Sequence, residues 1–214
     1  MSAARQVVVI GAGGHARVLL DALALCGVAV AGLTDADPAK HGKIIAGARV
    51  LGDDRALEGH PPASTMLVNA MGSTETMAQR QAVFERLKAR GYRFLTVAHP
   101  AAVIARDAVL GEGAQLMAGA IVQSGARIGA NSILNTGAQV DHDCDIGAHV
   151  HLAPGATLSG AVAVGEGTHV GTAAALVQGV RVGRGCLVAA GAVVVEDVPD
   201  GARVAGVPAR RMGR

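Results

Sequence analysis

Three groups of residues in this 214-residue sequence have side chains and spacings suited to chemistry. The first is Gly11-Ala12-Gly13-Gly14-His15-Ala16, directly after the apolar run Val7–Ile10. It fits the G-x-G-x-x-G/A pattern, whose glycines let backbone N–H groups approach a phosphate at the start of a helix. Without a ligand the same loop is simply a tight turn. Asp35, just beyond the next apolar run, stands where an acid could take a ribose hydroxyl. The second group is Val140-Asp141-His142-Asp143-Cys144, a histidine between two carboxylates. An imidazole can accept a proton near neutral pH. Either Asp141 or Asp143 could fix its tautomer and stabilise its charged form. The third group is His149, His151 and His169, imidazoles that could converge on zinc, with His142 of a neighbouring chain as a further candidate.

These residues must be positioned by a repeat. Stepping by six from Ile104 through Leu110, Leu116 and Val122 to Val194, every position is aliphatic. Four residues beyond each, the side chain is small or is Val, as at Ala114, Ala120, Ser132, Cys144, Ala156 and Cys186. Gly recurs every eighteenth residue, at Gly111, Gly129, Gly147, Gly165 and Gly183. Six is not a helical period, and Gly and Val suit no long helix. The pattern fits short strands joined by tight turns, three to a coil, stacked into a parallel β-helix. Its interior admits aliphatics and small residues, because a large ring would overpack it. The residues before the repeat read differently. Strands are expected at Val7–Ile10, Val28–Leu33, Met66–Met71 and Arg93–Val97, and helices at Ala16–Cys26 and Glu75–Arg90. Alternating strands and helices predict a small Rossmann-like α/β domain with a parallel sheet. With His99-Pro100 as the joint, the domains run 1–99 and 100–214.

Composition agrees. Half of the chain, 50%, is hydrophobic, yet only 1% is aromatic, and all three aromatic residues, Phe84, Tyr92 and Phe94, precede Ile104. So few rings argue against stacking on single-stranded nucleic acid. A net charge of +2 argues against a strong field for nucleic acid or membrane. No apolar run has the length of a membrane span or, at Met1–Ile10, of a signal peptide, so a cytoplasmic location is expected. Cys26, Cys144 and Cys186 form no CxxC pair and read as buried small residues of a reducing compartment.

Coil arithmetic brings the chemistry together. Residues eighteen apart lie one above the other, about 4.8 Å apart. Gly160 is therefore expected above His142, its backbone N–H near the imidazole, and His169 above His151. Asn135 lies under Ala153 and Gly171, and is expected to open surface near the corner that holds His142. A histidine base, an acid behind it and a backbone N–H for an oxyanion suit acyl transfer to an amine. The zinc reading is weaker, because His149 and His151 occupy different positions of the hexad.

The Gly-Ala-Gly-Gly-His-Ala loop, His99-Pro100, Asn135-Thr136, the block Val140–Gly147 and the terminal Gly206-Val207-Pro208-Ala209-Arg210 together resemble the sialic-acid O-acetyltransferase-like sugar acyltransferases. Within them the sequence is most similar to the bacterial nucleotide-amino-sugar N-acetyltransferases. The resemblance implies a left-handed β-helix, a homotrimer with sites between neighbours, and acetyl-CoA as co-substrate without a metal. It implies an acceptor amine on a nucleotide-linked amino-deoxy sugar, and a place in surface polysaccharide biosynthesis. By the same resemblance His142 is the general base and Asp143 the acid behind it, where many relatives carry Glu. Asn135 and Asp141 lie on the substrate side. His151, Gly160, Thr172 and Ala190 contact acetyl-CoA, with Pro208 and Arg210 toward its adenine end. Gly13, Gly14, His15 and Asp35 hold the nucleotide sugar. GDP-perosamine and a UDP-linked 4-amino sugar both fit. The alternatives are O-acetylation of a sugar such as a sialic acid, a zinc enzyme of carbonic-anhydrase type, and a nucleotide-sugar-binding protein without activity.

Overall fold

The computed structural model describes residues 6–73 and 76–213. Its first part contains β1 (Gln6–Ile10), α1 (Gly14–Leu25), β2 (Val30–Thr34), β3 (Ile44–Ile45), β4 (Ala48–Gly52), β5 (Thr65–Asn69), α2 (Ala78–Ala89) and β6 (Arg93–Phe94). They form one sheet in the order β3-β4-β2-β1-β5-β6, parallel except for the β3–β4 pair. The unbroken Val7-Val8-Val9-Ile10 run follows from a strand covered on both faces. Val7 and Val9 pack with Leu19, Leu20 and Leu23 of α1, while Val8 and Ile10 pack with Phe84 and Leu87 of α2.

Three sequence expectations change here. The β3–β4 hairpin lies outside the expected strands; its two-residue turn, Ala46-Gly47, takes φ of 44° and 84°, a geometry that only the glycine signals. The expected strand Arg93–Val97 divides. Arg93–Phe94 closes the α/β sheet, and Val97–Ala98 already pairs with Gln115–Leu116 of the next domain. Cys26 is exposed, not buried, because it caps the C-terminus of α1 instead of facing a core. Helix α2 starts at Ala78; the expected start at Glu75 lies outside the described residues.

From Val97 to Val194 two-residue strands recur every six residues and stack in parallel into three sheets, one of which is closed by the antiparallel pair Arg203–Ala205 and Arg210–Arg211. The predicted inward columns form one core: Leu116, Leu134, Val140, Leu152 and Val170 with Ala114, Ala138, Cys144 and Ala156. The glycine ladder is a matter of clearance between coils. A Cβ at Gly111 would lie 2.6 Å from the Ala130 nitrogen, and one at Gly147 2.8 Å from the Glu166 nitrogen.

The α/β domain docks on the outward face of the sheet containing Gln115, Ile133, His151 and His169, and buries all four. Arg80 of α2 is the fully buried link. Its Nε donates to the Asn131 carbonyl at 3.0 Å, and its Nη1 donates to the Asn69 and Met71 carbonyls at 2.6 and 2.8 Å. Burial pushes the guanidinium down to about 9. Nearer the surface, Lys88 meets Glu112 at 2.8 Å, and Glu112 also accepts from the Phe94 N–H.

Replacing Arg80 by Ala leaves two buried carbonyls and one part-buried carbonyl without their charged donor, at a cost of about 3 kcal/mol or more. Calorimetry should record a Tm lower by roughly 6 °C or more for a chain of this size, and Arg80→Lys should recover part of it. An unchanged Tm for Arg80→Ala would refute the linking role.

Candidate active site

His142 sits at an exposed corner, in the turn that follows the strand Gln139–Val140. Its Nδ1 lies 2.9 Å from Oδ2 of Asp143, and its backbone N–H donates to Oδ1 of Asp141 at 2.7 Å. Of the two acids, Asp143 meets the ring and Asp141 meets the backbone. The Asp143 hydrogen bond raises the His142 imidazole above its ordinary value of 6.5. With Nδ1–H donated to Asp143, Nε2 is left as the acceptor. The ring lies across Gly160, where a Cβ would stand 2.5 Å from Cε1. Gly160 is thus the neighbour that coil arithmetic expects, and its N–H has no hydrogen-bond partner among the described residues. Cys144, beside this pair, points inward. Its Sγ donates to the Ser159 carbonyl at 3.2 Å, and burial pushes the thiol up, away from use as a nucleophile.

Asn135 is not at this corner. It follows the strand Ile133–Leu134, one sheet earlier, because the turn six residues before His142 belongs to the preceding corner of the triangle. Thr172 and Ala190 are exposed on the same ladder as Thr136, and the Gly191 N–H bonds to the Thr172 carbonyl at 2.8 Å. His151 is separate from that ladder. It is the outward residue of a strand and lies beneath the α/β domain, with Nε2 3.2 Å from the Asn135 amide. His169 stands edge-on to it at 4.8 Å between ring centroids, and its Nδ1 is 3.1 Å from the Ser73 hydroxyl. His149 lies at a third corner, bonded to Asn131 and edge-on to Phe84, so it does not join the other two rings.

His15, Val18, Gly72, Ser73, Asn135 and His151 line one cleft of about 380 Å³ between the domains. Burial pushes His151 down to about 3 and His15 down to about 4, so both are neutral at physiological pH. Gln115 holds His15 at 2.9 Å; no periodicity marked Gln115, Ser73 or Gly72.

A larger cavity of about 570 Å³ is lined by the glycine loop, Thr34, Asp35, Lys40, Asp53, Asp54, Arg55, Met71, Gly72 and Arg86. Gly13 lines this cavity, Gly14 begins α1 beside it, and both are exposed; a Cβ on either would meet nothing within 4 Å. Asp35 lines the cavity and also supports its wall. Its carboxylate accepts from the Ala12 N–H at 2.8 Å, the Asp37 N–H at 2.9 Å and Lys40 at 2.9 Å, and so braces the glycine loop. Although burial pulls in the opposite direction, those hydrogen bonds leave its carboxyl below the usual range. At the far end of the solenoid, Arg210 lies on the terminal strand pair Arg203–Ala205 with Arg210–Arg211, and Pro208 lies in the turn that joins the two strands.

Family comparisons match the description PglD N-terminal domain over residues 6–87, and bacterial transferase hexapeptide (six repeats) over residues 125–160. Among solved structures, one similar protein is an asparagine-for-histidine variant of the perosamine N-acetyltransferase of Caulobacter crescentus, in complex with CoA and GDP-perosamine. It is 40% identical, has a TM-score of 0.92, and covers 98% of this chain and 97% of that one. This chain belongs to the PglD-type hexapeptide acetyltransferases. The acetyltransferase domain of PglB from Neisseria gonorrhoeae FA1090 is 37% identical, with a TM-score of 0.89 over 97% of this chain and 100% of that one. WeeI from Acinetobacter baumannii AYE is 26% identical, with a TM-score of 0.87 over 97% and 100%. A comparison with curated proteins returned no match. As a hexapeptide acetyltransferase, the chain combines an α/β domain with a left-handed β-helix.

In an NMR titration the His142 ring should titrate above 6.5. Asp143→Asn removes the charged acceptor and should move that titration to lower pH. Asp141→Asn should move it less. An equal or larger effect from Asp141 would reverse the assignment of the two acids.

Proposed function

We propose that this acetyltransferase moves the acetyl group of acetyl-CoA to the amine of a nucleotide-linked amino-deoxy sugar, with GDP-perosamine the favoured acceptor. The acceptor reading draws on the 40% and 41% identity to proteins crystallised with CoA and GDP-perosamine. A UDP-linked 4-amino sugar is the next candidate. The observation that carries the mechanism is the His142–Asp143 pair lying against Gly160. The neutral amine attacks the thioester carbonyl, and a C–N bond forms. The oxygen of the tetrahedral intermediate takes a hydrogen bond from the Gly160 N–H. Nε2 of His142 removes the proton from the former amine. The C–S bond then breaks, and the CoA thiolate recovers that proton from the imidazolium. Asp143 holds the ring and stabilises its charged form. The inward thiols of Cys144 and Cys186 favour direct attack over an acetyl-enzyme.

The site is completed between chains of a homotrimer. The face carrying Val103, Ile121, Gln139, Thr157, Ala175 and Val193 bears no charge, unlike the neighbouring face with Arg127, Asp145 and Arg181. That uncharged sheet is flanked by the His142 corner on one side and the Asn135 corner on the other. Packing it around a threefold axis sets His142 of each chain beside Asn135 and the His15–His151 cleft of its neighbour. Acetyl-CoA then lies along the seam, between Gly160 of one chain and Thr172 and Ala190 of the next, with its adenine end toward Pro208 and Arg210. Gly13, Gly14 and the Asp35-braced loop cradle the nucleotide. Asp141 stands on the sugar side of His142. The cytoplasm, where acetyl-CoA and nucleotide sugars are made, is its place of work, and surface polysaccharide synthesis its use.

His142→Asn should lower kcat by about 10²-fold or more and leave the trimer intact by light scattering. Acceptors bearing an amine should turn over, and their hydroxyl counterparts should not; the opposite preference would make it an O-acetyltransferase. Mixing inactive His142→Ala and Asn135→Ala chains should restore about a quarter of the sites by random assortment. No recovery would place each site within one chain.

A further inference from the structure

Below the His142 turn, the coil holds a contact that the repeat does not require. Asp143 occupies the left-handed position of its turn, with φ of 58°. The residues under and over it on that ladder are Gly125 and Ala161, with φ of 74° and 57°. An L residue is therefore admitted at this turn position; Ala173 takes it as well, with φ of 55°. Backbone geometry alone does not demand glycine at 125. Clearance does. A Cβ on Gly125 would lie 2.6 Å from Oδ1 of Asp143, the carboxylate whose other oxygen meets His142. At Gly137, Gly167 and Gly185, on the same turn position elsewhere, a Cβ would meet nothing within 4 Å.

The turn that carries Gly125 is itself fixed from below. Oδ2 of Asp107 accepts from the Ser124 hydroxyl at 2.8 Å and from the Gly125 N–H at 3.1 Å. The Ser124 carbonyl in turn accepts from the Asp143 N–H at 3.0 Å. We infer that Gly125, seated on Asp107, is a positioning residue: its bare Cα is the floor on which the Asp143 carboxylate rests while it holds the His142 ring. The inference rests on the reading of His142 as the base and adds the residues that set its orientation. A methyl group at 125 turns the short Asp143 side chain off that floor and away from Nδ1, with little disturbance of the coil.

The charged groups facing the His142 ring are Asp143 and Asp141 of its own turn. The coil above presents Gly160, with the inward Cys144 thiol alongside, and the coil below presents Ser124 and Gly125 over Asp107. Loss of the Asp143 contact lowers the affinity of the ring for a proton. The base is then neutral to a lower pH but is weaker and less well aimed.

The test compares Gly125→Ala with Gly167→Ala, which introduces the same methyl at the same turn position away from the dyad. Gly125→Ala should lower kcat about tenfold or more and move the acid limb of the kcat/KM profile to lower pH. KM for acetyl-CoA and for the nucleotide sugar should stay within about twofold. Gly167→Ala should keep the wild-type profile. If Gly125→Ala is insoluble, Asp107→Ala should produce the same displacement of the acid limb. An acid limb unmoved in Gly125→Ala, or unmoved in the Asp107→Ala substitute, overturns the inference. His142→Asn in the same series separates the two levels: turnover retained there removes the base itself, whereas its loss beside a wild-type-like Gly125→Ala removes only the role of Gly125.

Discussion

The spacing of neighbouring coils, about 4.8 Å, governs this molecule. It leaves no room for a Cβ at Gly111 or Gly147, and it limits the interior to aliphatic and small side chains. It also decides what lies above and below each functional group. His142 has a glycine above it because an imidazole projecting from a corner needs the volume that a side chain would otherwise take. In a globular core, neighbours can shift to absorb a substitution. In a stack whose layers are fixed by backbone hydrogen bonds, the backbone of a vertical neighbour has no such freedom, and only a side chain on it can turn aside.

The second organising force is the uneven cost of charge. His15, His149 and His151 lie at or near the domain junction, where burial lowers their proton affinity, and the buried Arg80 guanidinium adds to that. His142 stands at an open corner beside two carboxylates and moves the other way. One chain therefore holds histidines of two kinds. His15 and His151, pushed down to about 4 and about 3, serve as neutral hydrogen-bonding rings at physiological pH, whereas His142 can take up and release a proton.

What could be read from the sequence follows from the same stack. The inward columns, the glycine ladder, the Gly160–His142 contact and the His151–His169 pairing are all set by one period, and a period is visible in a string of letters. The domain junction has no period. Arg80, Gln115 and Asn131 come from unrelated places in the chain and meet only once the α/β domain has docked, so nothing local marked them. The corner of the triangle on which a residue falls is set by its place within the eighteen. Counting from Asn135 to His142 with that in view would have separated them. The bracing role of Asp35 depends on the path of a loop that includes Lys40, and a motif pattern does not describe that path.

Gly72 belongs to both cavities, the larger one at the glycine loop and the cleft of His15, Asn135 and His151. A Cβ there would stand 3.6 Å from the His15 side chain, an ordinary contact distance. The two spaces thus share a party wall at one residue that has no side chain of its own. Any side chain placed there takes volume from both at once.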